Sequence, residues 1–68
     1  MELLTIKEVS KRLKMNVADT YKLIRSGELQ ALKLGSLKVA DFELERFIKQ
    51  AVGMDFSDLN DVKELDLN

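Results

Sequence analysis

TIKEVSKRLKMNVADTYKLIRSG, residues 5–27, decides how this chain folds. Thr5 and Glu8 form a Thr-x-x-Glu capping box, in which hydroxyl and carboxylate satisfy orphan N–H groups at a helix start. Ile6, Val9 and Leu13 follow at helical spacing, with Lys7, Lys11, Arg12 and Lys14 on the other faces. The spacing predicts a first helix over Ile6–Leu13. Lys14-Met15-Asn16 is long enough only for a turn, and Asn16 is a favoured N-cap residue. A second helix is expected from Val17 to Arg25 or Ser26, with Thr20, Leu23 and Ile24 on its apolar side. Gly27 stands where a left-handed residue ends that helix.

Working outward, Leu29–Leu34 reads as a strand, Gly35-Ser36 as a two-residue type II′ turn, and Leu37–Val39 as the returning strand. That register sets Leu34 opposite Leu37 and Lys33 opposite Lys38, with Leu32 and Leu34 in register with Leu37 and Val39. Asp41 is expected to cap a third helix from Phe42 to about Val52, with Leu44, Phe47, Ile48 and Ala51 as its apolar stripe and Gly53 at its end. Beyond it, Ser57 is placed to cap a short amphipathic helix carrying Leu59, Val62 and Leu65. Two short helices joined by a three-residue turn make a helix-turn-helix, and a hairpin after them is a wing. The expected fold is mainly α with a small β-hairpin. Residues 1–53 form a winged helix-turn-helix domain, and residues 54–68 an acidic C-terminal tail.

Composition narrows the function classes. The 68 residues form one domain with a small core, and a chain this short buries only about 60% of its unfolded surface. It has no Cys and no His, so disulfides, thiolate nucleophiles, imidazole bases and Cys/His zinc sites are excluded. Ser10, Thr20, Asp19 and Glu28 make no catalytic set, and the acids of the tail lack calcium-loop spacing. No enzyme activity, cofactor or metal is expected. No apolar run approaches a membrane span and no basic-then-apolar leader opens the chain, so a soluble, cytoplasmic protein is expected, with neither a membrane nor a small-molecule substrate as partner.

The net charge of −1 conceals a division. Residues 1–50 hold 10 Lys+Arg against 7 Asp+Glu, a net of +3. Residues 51–68 hold Lys63 against Asp55, Asp58, Asp61, Glu64 and Asp66, a net of −4. Within residues 5–38 the balance is 8 basic to 3 acidic, or +5, which places the basic charge on the helix-turn-helix and hairpin.

Leu4-Thr5-Ile6-Lys7-Glu8-Val9, Tyr21-Lys22-Leu23-Ile24-Arg25-Ser26-Gly27-Glu28-Leu29, Lys33-Leu34-Gly35 and Phe42-Glu43-Leu44-Glu45-Arg46-Phe47 together resemble the excisionase-type, MerR-like DNA-binding domains. The resemblance covers residues 3 to about 50. It implies a small protein of a phage, plasmid or other mobile element, with the second helix in the major groove and the wing against the neighbouring backbone or minor groove. It further implies an excisionase-like recombination directionality factor or a transcriptional regulator. Double-stranded DNA is then the partner, with a recombinase (integrase) or a second copy bound alongside. The chain departs from the family pattern in four places. Lys14 stands where the turn carries Gly, Asn16 where the cap is Ser, Val17-Ala18-Asp19 where Arg-Ser-Thr is frequent, and Ser36-Leu37-Lys38 where the wing tip carries Arg.

On that reading Val17, Ala18, Asp19, Tyr21, Lys22 and Arg25 are the candidate DNA-reading residues of the second helix. Lys33, Ser36 and Lys38 are those of the wing, and Thr5, Lys7, Lys14 and Asn16 are backbone contacts from the first helix and turn. Arg25 has the chemistry to grip guanine O6 and N7. Lys33 and Lys38, set opposite each other, would clamp one phosphate between them. The alternative is a protein-interaction module working through the acidic amphipathic tail, whose Phe56, Leu59, Val62 and Leu65 stripe suits a partner helix. The tail also has two roles open to it within the chain: a mobile acidic competitor for the DNA face, or a segment packed on the third helix to complete a small core.

Overall fold

The computed structural model describes residues 1–67. The elements run β1 (Leu3–Thr5), α1 (Ile6–Leu13), α2 (Val17–Ser26), β2 (Leu32–Leu34), β3 (Ser36–Ala40), α3 (Asp41–Ala51), β4 (Met54–Asp55) and β5 (Lys63–Glu64). Three helices pack around a small antiparallel sheet of order β1-β3-β2, and β4-β5 form a separate two-stranded ribbon.

The α1–turn–α2 unit forms as its residues dictate. Thr5 Oγ1 accepts from Glu8 N at 3.1 Å, and Thr5 N donates to Glu8 Oε1 at 3.0 Å, completing the capping box. Asn16 Oδ1 accepts from Asp19 N at 2.8 Å and starts α2. Gly27, at φ 88°, ends it. Between the helices Ser10 and Thr20, both buried, share a hydrogen bond of 2.7 Å, and Ser10 Oγ also donates to Ile6 O at 2.8 Å. Each hydroxyl also reaches a carbonyl one turn back, Ile6 O for Ser10 and Asn16 O at 3.3 Å for Thr20. This buried relay leaves no orphan hydroxyl and sets the spacing of the two helices.

Leu4, Ile6, Val9, Leu23, Leu29, Val39, Leu44 and Phe47 form the buried core, with one or more residues from each of β1, α1, α2, β3 and α3. Strand β1 is not anticipated by the pattern, being three residues long. It pairs with β3 in the register Leu4↔Val39 and Thr5↔Lys38, which buries Leu4 completely. Its arrival displaces the expected cap of α3. Asp41 makes no cap for its own helix, where Ala40 holds the N-cap position. Its Oδ2 instead accepts from Glu2 N at 2.9 Å and its N–H donates to Glu2 O at 2.9 Å, fastening the start of β1 to the start of α3.

The hairpin differs from its expected form by one residue. Gly35, at φ 78°, reverses the chain alone, and the register is Leu32↔Lys38, Lys33↔Leu37 and Leu34↔Ser36. A slip of one residue moves side chains to the other face. Lys33 and Lys38 are therefore not opposite each other but on opposite faces, and Leu32 and Leu34 lie on the face away from Leu37 and Val39. The core fixes the facing of β3, with Val39 inward, Leu37 beside it and Lys38 outward, and the reversal at Gly35 alone shifts β2 by one residue against it. Residues 29–31 are not strand. Leu29 N donates to Leu23 O at 3.2 Å, so Leu29, fully buried, closes the end of α2 instead.

The expected tail helix is absent. Gly53, at φ 85°, turns the chain back after α3, and β4 pairs with β5 in the register Met54↔Glu64. Ser57 does not cap a helix: its N–H and hydroxyl both donate to Asp55 Oδ1, at 2.8 and 2.6 Å. Asp58 Oδ1 accepts from Asn60 N at 3.0 Å. These local side-chain bonds offer the backbone turns in place of a helix. Phe56 and Leu59 pack on the core, with Phe56 edge-on to Phe47 at 5.4 Å between ring centroids. The tail is docked on the body.

Candidate nucleic-acid interface

Thr20 and Leu23 turn one side of α2 into the core, so the residues about half a turn away face out. Val17, Ala18, Lys22 and Arg25 are exposed there. Tyr21 is half-buried, its ring packed on the core edge. Asp19 and Lys22 lie toward one flank and pair at 3.8 Å. Both line the rim of a cavity of about 490 Å³ between α2, Phe47 and the docked tail. Ala18 and Arg25 thus form the centre of the exposed face, with Tyr21 at one margin and the Asp19–Lys22 pair at the other.

Ion pairing separates the basic residues of 1–50 into two sets. Arg12 pairs with Glu2 at 3.6 Å, Lys22 with Asp19, Arg46 with Glu43 at 2.6 Å and Lys49 with Glu45 at 3.3 Å. Lys7, Lys11, Lys14, Arg25, Lys33 and Lys38 have no acidic partner among the described residues. This second set lies on α1, the turn, α2 and the hairpin, and contains nothing from α3. Lys7, Lys11 and Lys14 follow at spacings of four and three, one stripe along α1 and its end. Lys11 was not among the residues expected at the interface. The same spacing was visible in the sequence, but only the capture of Arg12 by Glu2 shows which face stays free. Lys38 Nζ donates to Ser36 Oγ at 2.7 Å, which holds it along the outer face of β3. Thr5 and Asn16 use their side-chain oxygens as cap acceptors, which leaves the Thr5 hydroxyl proton and the Asn16 amide N–H groups for any phosphate contact.

Behind this surface stands a clamp that the sequence did not reveal. Arg46 Nε and one terminal nitrogen grip both oxygens of Glu43 at 2.6 Å, and the same nitrogen donates to Glu28 O at 3.1 Å. Glu43 Oε2 also accepts from Gln30 N at 2.8 Å. One bidentate pair on α3 therefore holds residues 28 and 30, the link from α2 to the hairpin. The bond from Arg46, and then that from Gln30 N, hold the Glu43 carboxyl below the usual glutamate range despite its burial.

Lys14 sits at φ 57°, the only non-glycine residue with positive φ among those described. Its N–H donates to Lys11 O at 3.2 Å to close α1. A side chain at this φ carries strain that glycine avoids. Lys14→Gly is expected to raise stability by about 0.5–1 kcal/mol in thermal or urea unfolding. An unchanged or lower stability would show that the Lys14 side chain makes a compensating contact.

The chain belongs to a helix-turn-helix domain family, whose sequence model matches residues 3–52, from β1 through the end of α3. A search of curated proteins and one of solved structures found no match. A domain of this family points to double-stranded DNA as the partner. Among the described residues no helix is long and apolar enough to cross a membrane.

Proposed function

We propose that this is a sequence-specific double-stranded-DNA-binding protein that performs no catalysis and uses its hairpin as the wing of a winged helix-turn-helix. The observation that carries this reading is the set of six cations without acidic partners, all on α1, the turn, α2 and the hairpin. Arg12 on α1, Lys22 on α2 and the two cations of α3 each face a carboxylate, and the unpaired charge lies where a helix-turn-helix meets phosphates. In this reading α2 enters the major groove with Ala18 and Arg25 facing the bases and Tyr21 at the edge of that face. Lys7, Lys11 and Lys14 follow one phosphate strand. The wing lysines act singly, Lys33 from one face of the hairpin and Lys38 from the other, and not as a two-sided clamp on one phosphate. Its role is that of an excisionase-like directionality factor or a transcriptional regulator of a mobile element, acting in the cytoplasm, with a recombinase as a further partner in the first case. The small size and the resemblance of its motifs support that finer reading.

The test is a titration of labelled duplex, both the DNA upstream of its own gene and random sequence, across a salt series. With roughly three to five phosphate contacts, log K should fall against log salt with a slope of about −3 to −5. Arg25→Ala should change the preferred sequence in a selection, whereas Lys33→Ala should weaken binding to all sequences alike. Absence of binding to either duplex at low salt would remove the proposal and leave a protein-interaction module.

A further inference from the structure

The outer face of α3 carries more apolar surface than a solvated helix needs. Leu44 and Phe47 are buried, but Phe42 is 60% exposed, Ile48 41%, and the C-cap residue Val52 76%. Phe42, Glu45, Lys49 and Val52 follow one another at spacings of three, four and three, the spacing of a helix-packing seam. The seam is also its own complement. Phe42 and Val52 lie equally far from residue 47 in sequence, and so do Glu45 and Lys49. A second α3 laid antiparallel, with the two-fold axis at the level of residue 47, sets Phe42 against the other copy's Val52 and Glu45 against the other copy's Lys49. Both contacts occur twice, as an isologous interface requires.

We infer that the outer face of α3 is a self-docking surface and that its partner is a second copy of this chain. The charge pattern selects that occupant. A lipid surface favours a helix flanked by cations, and an acidic or basic partner favours a seam of one sign. Here one Glu and one Lys neutralise each other within the chain at 3.3 Å and are placed to exchange partners across a two-fold. The seam spans eleven residues, about 15 Å from first to last, so the contact is small and the dimer weak. None of its residues belongs to α2 or the hairpin, so self-docking stands independently of DNA binding and would present two such surfaces together.

Sedimentation equilibrium without DNA, over a concentration series reaching the millimolar range, tests this. The wild-type chain should show a monomer–dimer equilibrium. Lys49→Glu and Glu45→Lys should each weaken it by about tenfold or more, because like charges then meet twice. Mixing these two variants in equal amounts should restore association, since every Glu–Lys contact re-forms in the heterodimer. The double exchange within one chain should restore it as well, and circular dichroism of each variant should match the wild type because both positions are exposed. A wild-type chain that stays monomeric throughout, or a mixture no more associated than the separate variants, would overturn the inference.

Discussion

A chain ending at Gly53 is expected to melt roughly 10–25 °C below the full protein, a loss of about 2–4 kcal/mol. The family match ends at residue 52, so the cut removes nothing that the helix-turn-helix pattern requires. It does remove Phe56 and Leu59, which pack on the core, and the edge-on contact of Phe56 with Phe47. Each is half-buried, so each contributes less than the 1.5–3 kcal/mol of a fully buried side chain, with about 0.5–1.5 kcal/mol more for the aromatic pair. A core in a chain this small supplies only about 3–5 kcal/mol in total. The truncated form should therefore be largely unfolded near physiological temperature. Phe56→Ala should reproduce much of the loss, while Leu67→Ala, at a position 89% exposed, should leave the melting temperature unchanged. Differential scanning calorimetry of the three variants decides the matter. If the truncated chain kept its melting temperature, the tail would regain the role of a mobile acidic competitor for the DNA face.

Glu43→Ala is expected to cost about 1–2 kcal/mol, read as a fall of roughly 5–10 °C in melting temperature. The Glu43 side chain is only 13% exposed, and its loss leaves Gln30 N–H without its acceptor and Arg46 with only Glu28 O and the Gln50 side chain. The pH dependence follows from the direction of the pKa. The folded state holds this carboxyl below its ordinary value of 4.5, chiefly through Arg46, so the unfolded chain binds the proton more tightly. The contribution is fully present above the ordinary value and disappears as pH falls through the lower, folded one. Glu43→Gln should then lose stability near neutral pH, and its difference from wild type should shrink as the solution is acidified below that range. A constant difference at all pH values would show that the clamp works by shape and not by charge. Because residues 28 and 30 link α2 to the hairpin, amide exchange should rise at Gln30 in the variant.

Local chemistry explains why so much of the helix-turn-helix was legible. Thr5 and Glu8, Asn16, and Gly27 are each recognisable from nearest neighbours, and each sits at the helix end where its chemistry belongs. The positive φ of Lys14 was implied only by the resemblance, which sets Gly at that place in the turn. Sequence also located the free positive charge on the body, in the +5 segment over residues 5–38. The features it could not reveal depend on partners far along the chain. Strand β1 exists because β3 offers it an edge, which is also why Asp41 binds Glu2 and caps nothing. Pairing with β1 and the burial of Val39 fix the facing of β3, and the reversal at Gly35 then puts Lys33 and Lys38 on opposite faces.

The tail shows the same division most sharply. Leu59, Val62 and Leu65 at spacings of three fit a helix, and no local signal forbids one. Docking of Phe56 on Phe47 fixes the start of the segment, while Asp55 and Asp58 offer the backbone turns that a helix would have to outbid. The sequence by itself therefore determined the α1–turn–α2 unit, its caps and its surplus of positive charge, because those rest on residues three or four apart. Tertiary structure alone decided that Glu2 captures Arg12, which face of the hairpin each lysine occupies, and that the acidic tail docks on the core. Those outcomes depend on burial, on a neighbouring strand and, for Arg12, on a carboxylate ten residues away, whereas the pairs of Lys22, Arg46 and Lys49 lie within one helical turn.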